Sequence, residues 1–204
     1  MRYLHPNFDA ARTSDEAPKS DHHHHVPPTG VYEADKLPKD VAWHYRAAGI
    51  LPYVVRDLRN VHGHVVPSVT FLLGKQDTKS QDRKWRQRWV EFGGKLEPTD
   101  DGPVSTALRE FHEETSGCFK GAGLRLHSHA IWNRTCKYVL FLAEILGDTS
   151  AVLHTNDEIC EFRFVDRDAL LRALRNGYFG DAEVSFRTRS SIGFAKAVQL
   201  LRSL

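Results

Sequence analysis

The amino-acid sequence predicts a mixed α/β fold, a sandwich in one stack of layers, and three observations carry that expectation. Short runs rich in β-branched and aromatic residues alternate with segments of helical period, and no internal repeat or sustained heptad displaces that alternation. The 204 residues amount to about 1.4 domains at ~150 residues each, so one domain with extra sequence is expected. A composition of 41% hydrophobic and 26% charged residues supplies a real core and excludes a wholly disordered chain.

Residues 1–40 read as a flexible N-terminal arm, because the segment is polar, broken by Pro6, Pro18, Pro27, Pro28 and Pro38, and holds no period of 2 or 3.6. Its tract His22-His23-His24-His25 is solvated linker more readily than a metal site. The domain is expected over residues 41–204. Ala48 to Val55 and Ser68 to Gly74 are short β-rich runs about the turn signal His62-Gly63-His64. Gln76 to Gln87 is charged and reads as a loop before a strand from Arg88 to Phe92. Gly93-Gly94 and a Pro- and Asp-rich loop then lead to Val104 to Ser116, where Val104, Ala107, Leu108 and Phe111 recur at helical spacing, with Gly117 placed to stop the helix. Strands follow at Leu126 to Trp132, Lys137 to Ile145 and Phe162 to Val165, with helices at Arg167 to Leu174 and Arg189 to Leu201.

Charge and cysteine usage narrow the setting. Lys plus Arg total 28 against 26 Asp plus Glu, so the net +2 gives no general attraction to nucleic acid or anionic membrane. Cys118, Cys136 and Cys160 form an odd, widely spaced set with no CxxC, which disfavours a disulfide framework and a structural zinc. No run approaches the ~20 apolar residues that cross a bilayer, and the acidic residues Asp9, Asp15, Glu16 and Asp21 are wrong for a transit peptide. A soluble, cytoplasmic protein is the expectation.

The chemistry concentrates on the Val104 to Ser116 helix. Glu110, Glu113 and Glu114 stand at i, i+3 and i+4, so three carboxylates leave one face within about one turn. Such like charges repel, and the cluster is costly unless a cation lies against it. Hard divalent ions take oxygen ligands, and Mg²⁺ favours a few carboxylates together with water and phosphate oxygens. A bare ExxEE is more often a solvated acidic face; here a strand, a double glycine and a loop of defined length precede it.

The string Gly93-Gly94-Lys95-Leu96-Glu97-Pro98, then Asp100, then Arg109-Glu110-Phe111-His112-Glu113-Glu114-Thr115-Ser116-Gly117 closely resembles the signature of the Nudix hydrolases. That signature runs Gly, five residues, Glu, seven residues, Arg-Glu-apolar-x-Glu-Glu-x-Gly. The chain departs from it in carrying Asp100 in place of Glu, eight residues between Asp100 and Arg109, and Ser116 ahead of a delayed Gly117. Taking Asp101 instead keeps the seven-residue spacing but not the five. The order of elements from about Ala48 to Leu174 also fits the family.

This resemblance implies an α/β/α sandwich with a mixed β-sheet, and hydrolysis of a diphosphate bond in a nucleoside diphosphate-linked or polyphosphate substrate with Mg²⁺ or Mn²⁺ as cofactor. It implies Glu110, Glu113 and Glu114 as metal ligands with the Gly94 carbonyl, catalytic roles for Glu113 and Glu114, and Arg109 as a charge partner that orients a carboxylate. The general base stays open between Glu158 and Glu161, each just ahead of the Phe162 strand, with Glu144 a weaker candidate. Lys95, Arg88 and Phe162 are candidate substrate contacts; Trp132 and Phe164 also offer rings. The basic run Arg83-Lys84-Trp85-Arg86-Gln87-Arg88-Trp89 leaves an RNA-directed decapping or 5′-pyrophosphate-removing enzyme as an alternative, more often being a solvated loop. A Nudix fold kept as a binding or assembly module, catalytically weak, is the third reading.

Overall fold

The long strand β2 (Ala47–Arg59) organises the molecule by changing partners along its length. Over Ala47–Tyr53 it runs parallel to β7 (Tyr138–Ile145). On its other side Ala47–Ile50 pair with the short β5 (Phe92–Lys95), and Tyr53–Arg59 pair with β3 (Val65–Lys79). The computed structural model describes residues 26–59, 62–79, 85–119, 123–147, 149, 153–180 and 182–184. Its remaining strands are β1 (Gly30–Glu33), β4 (Trp85–Val90), β6 (Leu124–Asn133), β8 (Ile159–Asp166), β9 (Tyr178–Phe179) and β10 (Ala182–Val184). The sheet runs β1-β6-β7-β2-β3-β4-β10-β9, with β5 beside β2 and β8 beside β3. Parallel and antiparallel pairs both occur, so the expected mixed sheet is found.

Strand alternation divides the apolar residues between two faces. Tyr138, Leu140 and Leu142 join Leu73, Trp89 and Val165 on one, covered by Leu170 and Ala173 of α3 (Arg167–Asn176). Val139, Phe141 and Ala143 join Ile50, Leu72 and Phe92 on the other. That second face is covered by Ala107 and Phe111 of α2 (Pro103–Glu114) and by Val41 of α1 (Lys39–His44). Helices on both sides of one sheet complete the α/β/α sandwich.

Three boundaries differ from expectation. The arm read over residues 1–40 is too long: β1 pairs with β6 from Gly30–Trp132 to Glu33–His129, Pro27 is buried, and its carbonyl accepts a 3.1 Å bond from the indole of Trp132. A short edge strand followed by a turn leaves no periodic signature, because its stability comes from the neighbouring strand. The loop read from Gln76 to Gln87 is strand at both ends, β3 continuing to Lys79 and pairing with β4 from Trp85, while residues 80–84 lie outside the described residues. Backbone pairing there needs no apolar period in the sequence. The strand read from Arg88 to Phe92 is two strands, broken at Glu91 where the chain leaves β3 for β2. The His22–His25 tract and the helix expected from Arg189 to Leu201 lie outside the described residues.

Removal of residues 1–38 is therefore expected to lower the melting temperature by about 4–8 °C, the equivalent of ~2 kcal/mol in a chain of this size, since it strips β1 and leaves the Trp132 N–H buried without its acceptor. An unchanged thermal transition would show that β1 adds nothing to stability.

Candidate active site

Helix α2 begins behind Pro103 at its first turn, where a missing N–H is harmless, and its apolar stripe seats Ala107 and Phe111 on the sheet. Phe111 meets Phe92 edge-on at 5.5 Å and Phe119 in a stack at 5.6 Å. Those contacts fix the helix rotation, and with it the acidic face.

Glu114 is 3% exposed, and one carboxylate oxygen accepts the Gly93 N–H at 2.7 Å while the other accepts Gln76 Nε2 at 3.2 Å. The Glu114 carboxylate is thus anchored to two strands. Glu110 packs against Gly94 so closely that a Cβ on that glycine would lie 2.3–2.4 Å from its carboxyl atoms. Only glycine leaves room for that carboxylate. Burial first, and then the negative charges of Glu113 and Glu158, raise the Glu110 pKa against the pull of Arg109. Glu113 is exposed.

Arg109 is the hub. Its Nε and Nη2 reach the two oxygens of Asp100, each at 3.1 Å, and Nη2 also donates to the Lys95 carbonyl at 2.8 Å. Nη1 lies 3.0 Å from both Glu110 and Glu113. Asp100 additionally accepts bonds from the Glu97 N–H and the Thr106 hydroxyl, both at 2.9 Å. The Arg109 hydrogen bonds lead in holding its carboxyl down at about 2. This settles the choice between neighbouring aspartates: Asp100 occupies the arginine-pairing position, and Asp101 is exposed. The shorter side chain and the longer loop are matched, the extra residue bringing Asp100 to Arg109. At the far end of α2, Ser116 takes the left-handed conformation (φ 52°) directly before Gly117 (φ 70°), so the inserted residue is absorbed in the cap.

Asn156, which sequence reasoning passed over, ties this helix end to β8. Its Nδ2 donates to the Glu114 carbonyl at 2.8 Å, and its Oδ1 accepts the N–H groups of Glu158 and Ile159 at 2.9 and 2.7 Å. An Asn two residues before a glutamate was the available signal, a side chain suited to closing a turn on its own backbone.

The remaining candidates separate by face. Glu158 precedes β8 and acts electrostatically on Glu110. Glu161 lies inside β8 on the α3 side, the parity of Val165, where it pairs with Lys75 at 3.3 Å and Arg163 at 2.5 Å. Glu144 shares the parity of Leu142, also on the α3 side, and pairs with Arg125. The structure therefore gathers Glu110, Glu113, Glu114 and Glu158 on one side of the sheet and leaves Glu161 and Glu144 on the other.

Phe162 stacks on Phe92 at 6.0 Å, while Trp132 is fully buried and Phe164 half-buried among the α2-side residues. Arg88 pairs with Glu183 at 3.6 Å, and Lys95 is exposed at the end of β5. Of the basic run, the side chains of Arg83, Lys84 and Arg86 lie outside the described residues. A hollow of about 660 Å³ lies on the loop side of α2 between Pro103, Val104, Leu108 and Arg109, and none of the four clustered glutamates lines it.

The donor set suits a hard divalent cation: oxygen ligands, a Glu110 carboxylate seated in the space a Cβ on Gly94 would fill, and mutual repulsion that positive charge relieves. Among the described residues no three such side chains converge tightly enough to hold an ion as they stand. The positive charge lying against this face in the structure is Arg109, 3.0 Å from both Glu110 and Glu113.

Asp100→Asn is expected to cost about 2–3 kcal/mol at neutral pH, the scale of a hydrogen bond to a charged partner. Because the folded-state pKa of Asp100 is depressed to about 2, its contribution is complete above the ordinary carboxylate value near 4 and is lost as pH falls through 2. Urea unfolding should thus show the wild-type advantage narrowing between pH 7 and pH 3; a gap independent of pH would contradict the ion pair.

The NUDIX domain family model matches residues 57–187. Among solved structures, a Listeria innocua mutT/nudix family protein is 15% identical with a TM-score of 0.47, covering 78% of this chain and 96% of its own. A C. elegans Ap4A hydrolase in a binary complex is 18% identical with a TM-score of 0.41 over 62% and 84%. The NUDIX domain of Shewanella oneidensis NrtR, complexed with ADP ribose, is 11% identical with a TM-score of 0.43 over 84% and 97%. No curated protein matches. With the Arg109–Glu114 helix seated over Gly93-Gly94 and the family model spanning more than half of the sequence, the chain belongs to the Nudix hydrolase family.

Proposed function

We propose that the protein is a divalent-metal-dependent pyrophosphohydrolase that cleaves a diphosphate bond in a nucleoside diphosphate-linked or polyphosphate substrate, with Mg²⁺ or Mn²⁺ as the ion. The observation that carries this reading is the seating of Glu110 on Gly94 and Glu114 on the Gly93 N–H, which aims the acidic face of α2 at one place. Glu110, Glu113 and Glu114 would hold the ion, with the Gly94 carbonyl as a further oxygen. When bound there, a divalent cation neutralises phosphate oxygens and makes water a stronger nucleophile.

The protein's own groups supply the rest. Arg109 clamps the loop through Asp100 and the Lys95 carbonyl, so the glycine edge and the helix move as one piece. Glu158 is the general base of this reading, held by Asn156 where its charge reaches Glu110. It would take the proton of the attacking water as the water oxygen bonds to phosphorus and the bridging oxygen leaves with the second phosphate. Glu161 is committed to Lys75 and Arg163 on the opposite face and takes no part.

Purified protein should hydrolyse a dinucleoside polyphosphate or ADP-ribose in Mg²⁺ or Mn²⁺ and stop in excess chelator. Glu114→Gln is expected to lower kcat at least ~100-fold, as loss of a charge-stabilising group does, and Glu158→Gln by ~100-fold or more, the scale of general-base catalysis. Glu161→Gln should leave kcat nearly unchanged. Undiminished turnover in chelator, or a Glu161 effect as large as that of Glu158, would sink the assignment.

A further inference from the structure

Helix α2 packs over β2, β5 and β7, and α3 packs over the opposite face of β3, β8 and β9. Among the described residues the α2-side face of β4, β10 and β9 carries neither helix, whereas β3 meets α2 there through Gln76. Strand parity and register place a row of polar side chains on this face. Gln76 of β3, already bonded to Glu114, stands opposite Arg88 of β4. Arg88 stands opposite Glu183 of β10, and Glu183 opposite Tyr178 of β9. The alternate residues Trp89, Phe179, Ala182 and Val184 belong to the α3-side core, which fixes the row on the other face.

Three inter-strand steps separate Gln76 from Tyr178, roughly 14 Å at the usual spacing. The row begins at a carboxylate of the box and ends at an aromatic ring that is 62% exposed. Between them Arg88 and Glu183 are each about one-third exposed and share a loose ion pair at 3.6 Å. A guanidinium so placed binds phosphate in a forked geometry, a neighbouring carboxylate accepts hydroxyl protons, and an exposed ring stacks on a base.

We propose that Gln76, Arg88, Glu183 and Tyr178 form the subsite for the nucleoside half of the substrate. Arg88 takes the phosphate next to the ribose, Glu183 accepts the ribose hydroxyls, and Tyr178 stacks on the base. The proposal rests on the pyrophosphohydrolase reading for what lies at the Glu114 end, and it narrows the substrate class to nucleotides over simple polyphosphates. It also gives Arg88 a role separate from any extended RNA-binding run.

Binding, measured by titration calorimetry on the full chain with Mg²⁺, tests this without requiring turnover. The probes are α,β-methylene-ADP, which carries a nucleoside, and methylenediphosphonate, which does not. Tyr178→Ala should weaken the first about 5- to 100-fold, the range of one base–aromatic stack, and leave the second unchanged. Tyr178→Trp should restore the loss, which a merely structural tyrosine would not allow, and Arg88→Ala should weaken the nucleotide and flatten its salt dependence. Equal weakening of both probes by Tyr178→Ala, no weakening of either, or a wild type that fails to prefer the nucleotide would each overturn the subsite. None of these results depends on hydrolysis, which Glu114→Gln tests separately.

Discussion

One guanidinium holds the candidate site together. Arg109 meets two needs at once: three glutamates on one turn of helix repel each other, and the loop between Lys95 and Pro103 has no regular structure to place it. Both are met by the same side chain, which forks onto Asp100, reaches the Lys95 carbonyl and stands 3.0 Å from two of the glutamates. The Asp100 side chain is 3% exposed, so its partner cannot be exchanged for water without leaving a buried charge. Glycine edge, loop and helix therefore form a single rigid unit, and the positions of Glu110 and Glu114 follow from it.

The sheet makes the second selection. A strand offers its side chains alternately to two faces, so a one-residue difference decides which carboxylates share a space. In β8 it sends Phe162 towards Phe92 on the α2 side and Glu161 towards Lys75 on the other. In β7 the same parity puts Glu144 beside Tyr53, raising the phenol's pKa as a contribution secondary to burial, far from the box. Glu158 escapes this rule by preceding the strand, where the Asn156 turn sets its direction.

What could be read from the sequence follows the range of the interactions. The helix period of Ala107, Leu108 and Phe111 is local and showed both the element and its acidic face. The strands of the central sheet were visible for the same reason. Glu158 and Glu161 looked equivalent because both precede an apolar run. Telling them apart requires knowing where pairing with β3 begins, a contact spanning some eighty residues. The burial of Pro27 under Trp132 is likewise a contact across 105 positions, and nothing in the arm's own composition announces it. Asp100 against Asp101 was undecidable by counting, because an inserted loop residue satisfies one spacing at the expense of the other; only the reach to Arg109 resolves it.

The strands that no described helix covers on the α2 side, β4, β10 and β9, take their place from the partner exchange along β2. Because β5 takes the first four residues of β2 and β3 takes the later ones, α2 settles over β2, β5 and β7, leaving β3 to carry β4, β10 and β9 outwards. The break at Glu91 makes this possible, for it lets consecutive residues serve two different strands. Glu114 stands at the seam, bonded to Gly93 on one side and to Gln76 on the other. In the proposed reading a diphosphate held at the box would have, on the Gln76 side, the described side chains that β4, β10 and β9 place in one row.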